Sequence, residues 1–191
     1  MSETSQNRTV LSVGRLYCDL IFTGAPRLPT LGSEVFATGI GLHAGGGAFI
    51  TAAHLAQLGM PSALGSFLPN APFHEVVENE LGAAGLDTSL CQPLPLGTEP
   101  QLTVAISHAE DRAFLTRKSG DAMPAITPDD LRRLGVRHVH IGEASTLVDC
   151  PSIAEAARSA NASLSIDCGW DDALTPKEIA EAVAIADLQS L

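Results

Sequence analysis

Three consecutive glycines, Gly45 to Gly47, stand at the head of an apolar stretch, AFITAAHLAQL, that closes on another glycine, Gly59. Residues without a Cβ let the backbone approach a neighbour or ligand closely, and a glycine just past an alanine-rich run is a common helix stop. The segment from Gly39 therefore reads as a glycine-rich turn feeding a helix that ends at Gly59. The first turn of such a helix presents unpaired N–H groups, which makes the turn a candidate phosphate cradle. It has no Walker-type lysine, and the G-x-G-x-x-G spacing fails because Ile50 occupies its last position. A purely structural tight turn is the competing reading.

Strand and helix patterns alternate along the rest of the chain. Residues 9–14 (TVLSVG) form a β-rich run, 24–32 a proline- and glycine-rich loop, and 34–36 a candidate short strand. Beyond Gly59, residues 62–67 read as a strand, and 72–84 as a helix with Phe73, Val76, Val77 and Leu81 on one side. Residues 101–107 and 112–117 alternate in hydropathy around His108, Ala109, Glu110 and Asp111, which predicts a β-hairpin. Thr127 caps a predicted helix over 128–134, and 137–142 is the next strand. A helix over 152–160, a strand over 163–167 and a helix over 176–186 behind Thr175 and Pro176 follow. Strands separated by helices pair in parallel, so the expectation is a three-layer α/β/α sandwich with a mainly parallel sheet. The hairpin and the early loop-rich strands do not belong to that layer. They predict a small antiparallel β lid, with strands within 15–40 and 98–120, on a domain spanning 9–191 after a polar leader over 1–8.

Asp19 lies five residues beyond Gly14, at the carboxyl end of the first strand, where open α/β sheets form ligand crevices. Its carboxylate is suited to accept hydroxyl protons, and a solvated loop aspartate is the alternative. Phe114 or Leu115 on the hairpin would face a ligand under the lid and help exclude water. Packing of that apolar side on another subunit is an equal alternative. Arg117 and Lys118 end the hairpin, and a solvated position is favoured for them over a phosphate contact.

The succession VGRLYCDLIFTG, HAGGGAFITAAHLAQLG, the lid-like hairpin and LSIDCGWDDAL resembles the PfkB or ribokinase-like family of sugar and nucleoside kinases over nearly the whole chain. The most specific part is the Gly-Gly entry to a helix ending in Leu55-Ala-Gln-Leu58-Gly59, followed by Gly65. The resemblance implies an ATP-dependent carbohydrate kinase using Mg²⁺, in which Asp19, Gly45 and Gly46 hold the sugar. It places Glu143 as an acidic sugar contact and Asp167 near the phosphate and metal region. It also implies that an Asn-x-x-Glu strand begins just after Asp187, and that a Gly-Ala-Gly-Asp segment with the anion hole and catalytic base lies beyond Leu191. The sequence given is then the amino-terminal two-thirds of such a kinase, inactive by itself. Where the family commonly has an asparagine this chain has Ile50, which cannot hydrogen-bond. Thr51 or His43 is the candidate substitute contact.

Two other functions stay open: a nucleoside kinase of the same fold, with a base filling the space left by Ile50, and a non-catalytic sugar-binding or regulatory module. A nicotinamide-binding domain is disfavoured because residues 65–70 (GSFLPN) offer no acid at the spacing a ribose ligand needs. The formal net charge of −11 argues against nucleic acid or an anionic membrane surface as partner. No apolar run approaches the roughly 20 residues of a membrane-spanning helix, and MSETSQNRTV lacks the layout of a secretory signal, giving the expectation of a cytoplasmic location. Cys18, Cys91, Cys150 and Cys168 form no C-x-x-C pair and read as buried thiols. His138 and His140 share a strand face but lack a third ligand, so packed or surface histidines are favoured and no structural metal is expected. A homodimer through the lid is a further expectation.

Overall fold

The structure, a computed structural model, describes residues 8–108, 111–169 and 171–190. In chain order its elements are β1 (Thr9–Val13), β2 (Tyr17–Thr23), β3 (Gly39–Gly45), α1 (Gly47–Gln57), β4 (Ser62–Gly65), β5 (Phe67–Leu68), α2 (His74–Ala84), β6 (Gln92–Pro93), β7 (Leu102–Ser107) and β8 (Arg112–Arg117). They continue with α3 (Pro128–Arg133), β9 (Val136–Ile141), α4 (Ala144–Asp149), α5 (Ser152–Ser159), β10 (Ser163–Asp167), α6 (Pro176–Ile185) and β11 (Leu188–Ser190).

Five strands form one parallel sheet in the order β11-β10-β9-β1-β4. Alternation along β1 and β9 sends Leu11, Val13, Val139 and Ile141 into a core closed by Leu131 of α3, Leu147 of α4, Ile153 and Ala157 of α5, and Ala182 of α6. Ala48 and Phe49 of α1 with Val77 and Leu81 of α2 build a second core on the other face, against Leu64 of β4. The result is the expected α/β/α sandwich. Helices α3 and α6 begin as their sequences dictate. Thr127 pairs with Asp130 and Thr175 with Glu178 in reciprocal capping boxes, with proline in the first turn.

The lid is a second sheet, in the order β3-β2-β7-β8. Its outer pairs, β2–β3 and β7–β8, are antiparallel, and its central pair, β2–β7, is parallel. The predicted hairpin is β7–β8, closed by mutual backbone bonds of His108 and Asp111, while Ala109 and Glu110 lie outside the described residues.

Three expectations need correction. Residues 34–36 are not a strand, and the glycine-rich segment from Gly39 is not a turn but strand β3. Its glycines leave room for side chains: a Cβ on Gly39 would lie 2.4 Å from Thr23 Oγ1, on Gly41 2.7 Å from His43 Nε2, and on Gly45 2.1 Å from Asp19 Oδ2. The turn itself shrinks to Gly46, at φ 103°. Of the cysteines, all free, only Cys18 is buried and the other three are partly so.

Chain order and strand order part company at β1. The chain moves from β1 to β4 on one side and later fills β9, β10 and β11 on the other, so the carboxyl ends of β1 and β9 flank a topological switch point. There α1 comes closest. A Cβ on Gly47 would stand 2.2 Å from Gly142 O, and one on Gly142 2.2 Å from Ala48 N. Gly142→Ala should therefore force α1 off the sheet and cost about 1–3 kcal/mol. Gly82→Ala in α2, where a Cβ meets nothing within 4 Å, should instead gain about 0.5–1 kcal/mol. Urea midpoints of the two variants check both signs.

Candidate functional site

A cleft of about 810 Å³ opens at the switch point, between the ends of the parallel strands and the inner face of the lid. Tyr17 and Asp19 on β2, Thr103 on β7, and Phe114 and Thr116 on β8 line its lid side. Gly46 and Gly47 enter from the start of α1, Glu143 from the end of β9, and Asp167 with Asp171 and Asp172 from the end of β10 and the loop after it. Strand alternation decides which hairpin residue faces inward. Phe114 pairs with Ala105 on the cleft side, whereas Leu115 pairs with Val104 on the outer face.

Of the residues singled out in the sequence, Asp19, Gly46, Phe114, Glu143 and Asp167 share this cleft. Gly45 sits beside it, its bare Cα under the Asp19 carboxylate. Thr51 is not brought to the cleft. One turn into α1 it faces the sheet instead, with its hydroxyl 3.2 Å from His140 Nε2. Ile50 is exposed and does not line the cleft either. His43 lies 2.9 Å from Glu80 Oε1, and the other oxygen of Glu80 accepts the Ala44 N–H, so α2 caps the free edge of β3. His138 bonds to Ser163 and Ser165, and His140 to Ser165 and Thr51.

Sequence reading missed Arg15 and Tyr17 as parts of the site and favoured a solvated position for Lys118, which lines the cleft. Arg15 is 5% exposed and lies behind the cleft floor. Its Nε faces Glu143 Oε1 at 3.3 Å as an ion pair, and its Nη2 donates to Asp149 Oδ2 at 2.6 Å. Tyr17 donates its hydroxyl to Glu143 Oε2 at 3.3 Å, and Thr146 donates to Glu143 Oε1 at 3.3 Å. Lys118 closes an ion pair with Asp171, whereas Arg117 pairs with Glu99. Arg15 gives no local signal of this role, since its side-chain partners lie more than a hundred residues along the chain.

Burial pushes the Asp19 carboxyl above the usual aspartate range, partly offset by the Thr103 hydroxyl and by His43. Burial likewise raises Glu143, with Arg15, Lys118, Tyr17 and Thr146 pulling it back. Burial and the neighbouring Glu143 hold the Tyr17 hydroxyl protonated, so it serves as a donor. Two partly desolvated carboxylates, one of them Asp19 against the bare backbone of Gly45, offer the acceptors that a ligand with several hydroxyl groups would need. The arrangement also costs stability. A carboxyl raised on folding favours the native state at low pH and loses that contribution as pH climbs through its folded value. Asp19→Asn should thus raise the urea midpoint at pH 7, and the gain should vanish when the comparison is repeated at pH 3.

No family model and no curated protein sequence matches the chain. Solved structures do. A candidate ribokinase from Agrobacterium tumefaciens superposes with a TM-score of 0.78 at 19% identity, over 96% of this chain and 58% of that one. A fructokinase with bound ATP from Xylella fastidiosa gives 0.73 at 17%, over 96% and 57%. A ribokinase from Cryptococcus neoformans in complex with ADP gives 0.71 at 18%, over 95% and 56%. The chain thus spans a little under three-fifths of the length of these structures. Among the described residues no helix is long and apolar enough to cross a membrane. Strand order, lid and cleft together show that the chain has the ribokinase-like fold of the PfkB carbohydrate kinases.

Proposed function

We propose that the chain is the sugar-binding part of an ATP-dependent carbohydrate kinase. The observation that carries this reading is the Asp19 carboxylate, seated on Gly45 and sharing one cleft with Gly46, Glu143 and Asp167 at the switch point. Asp19 accepts hydroxyl protons from the sugar, and the Gly46 and Gly47 backbone approaches it without steric hindrance. Glu143, oriented by Tyr17 and Thr146, takes a further hydroxyl. Phe114 covers the sugar from the lid and excludes water that would compete as phosphoryl acceptor.

Bound MgATP would supply the electrophilic phosphorus and a cation that neutralises charge developing on it. Magnesium takes most of its ligands from phosphate and water, so one nearby carboxylate suits it. Asp167 fits that place, with one oxygen held by the Gly169 N–H at 3.1 Å and the residue on the cleft wall. Among the described residues no cluster of three or more His, Cys, Asp or Glu is arranged to hold a metal by itself. Phosphoryl transfer in this reading also needs a catalytic base, which the family resemblance assigns to a Gly-Ala-Gly-Asp segment, and it would run in the cytoplasm, where ATP is at hand. The outer lid face, with Ile40, Leu42 and Leu115 exposed, is where a second copy would pack.

Thermal denaturation of the 191-residue chain with a panel of pentoses, hexoses and nucleosides tests the reading. A sugar at one hundred times its dissociation constant should stabilise the chain by about 2.7 kcal/mol, and Asp19→Asn should abolish the shift. Gly45→Ala, whose Cβ displaces the Asp19 carboxylate, should weaken the same sugar at least about tenfold while the chain stays folded. Stabilisation by nucleosides alone would replace the sugar reading with the nucleoside one, and a response unaffected by Asp19→Asn would remove its chemical basis.

A further inference from the structure

The chain passes between the sandwich and the lid four times, and contacts beside Arg15 link the four passages into one chain of neighbours. The first, 14–17, contains Arg15 itself. At the second, Gly46 packs on the Arg15 carbonyl so closely that a Cβ would stand 2.4 Å from its oxygen. At the third, the Gln101 carbonyl accepts the Cys18 N–H at 3.1 Å. At the fourth, Arg15 Nη1 donates to Gly120 O at 2.9 Å and to Ser119 O at 3.3 Å. The Gln101 amide joins the third passage to the fourth, accepting from Ser119 N at 2.9 Å and donating to Ser119 O. The Arg15 guanidinium also donates to Asp149 through Nη2 and faces Glu143 through Nε at 3.3 Å as an ion pair without a hydrogen bond. A buried arginine that ties the lid strap to a carboxylate of the cleft is more than packing requires, because an apolar side chain would fill the space without desolvating a charge.

We propose that Arg15 is a positioning residue that couples the lid to Glu143, fixing strap 119–120 and the carboxylate in one geometry so that the lid is seated when Glu143 is set to receive a hydroxyl. The meaning of that hydroxyl rests on the sugar-kinase reading; the coupling does not. Six groups face this centre: Arg15, Tyr17 on β2, Lys118 after β8, Thr146 and Asp149 on α4, and Asp171 from the loop after β10. Of these, Arg15 alone touches both the strap and the carboxylate.

The test needs no ligand, so its failure is separable from failure of the sugar reading. Amide hydrogen exchange is followed across the titration of Glu143, itself read from the ¹³C-carboxyl signal, in the wild type, Arg15→Lys, Arg15→Met and Glu143→Gln. In the wild type, protection of the strap and of β7 and β8 should fall on the order of tenfold as Glu143 takes up its proton, with β1, β4 and β9 unchanged. Glu143→Gln should lose that pH step. Arg15→Lys, which keeps the charge but not the fork, should leave the Glu143 midpoint near its place and expose the strap. Arg15→Met should raise the midpoint by about one pH unit or more. If it does not fold, the lysine and glutamine variants decide the matter. Strap protection that ignores the Glu143 titration, or that survives in Arg15→Lys, overturns the proposal.

Discussion

Everything at the cleft is placed by one contact, the glycine-only approach of the start of α1 to the end of β9. Gly47 and Gly142 face each other with no room for a side chain on either. Because the helix sits this low, its first backbone groups reach the switch point between β1 and β9, where the strand order leaves a crevice. The same approach sets β3, which runs straight into α1 through Gly46, and β3 in turn carries Gly45 beneath Asp19. A side chain at Gly47 or Gly142 would move the helix, the lid edge and the carboxylate together.

The charges of the cleft follow from this geometry. Asp19 and Glu143 are held where water is scarce, and both are shifted toward protonation by burial. Desolvation would neutralise such groups if nothing opposed it. For Glu143, Arg15 behind the floor and Lys118 at the lid exit supply the opposing charge, each with an acidic partner of its own in Asp149 and Asp171, and for Asp19 the Thr103 hydroxyl and His43 do. The cost in stability falls on the residues that would meet a ligand, a common property of binding sites.

Most of the sandwich was legible in the sequence because its signals are local. Thr127 and Thr175, each followed three residues later by an acid, start their helices where the capping pattern says, and the apolar strands 9–14, 137–142 and 163–167 match β1, β9 and β10 within a residue. Strand β3 was not legible, since a glycine run has no apolar alternation and its reason, room for Thr23, His43 and Asp19, belongs to a partner strand. Thr51 was misplaced because only the first backbone groups of α1, at Gly46 and Gly47, reach the cleft, while Thr51, a turn further on, meets His140 of the sheet. Asp19, Gly46, Phe114, Glu143 and Asp167, drawn from separate segments, line one cavity. Arg15 carried no readable signal, because its partners lie more than a hundred residues away.

The most direct measurement is a ¹⁵N–¹H spectral titration of the chain with ribose and with fructose. A grip by bare glycine backbone opposite a carboxylate predicts saturable shifts of the Gly46, Gly47 and Asp19 amides, with Thr51 and the β10 serines still. Shifts confined to other residues, or none at sugar concentrations that saturate comparable sites, would contradict it.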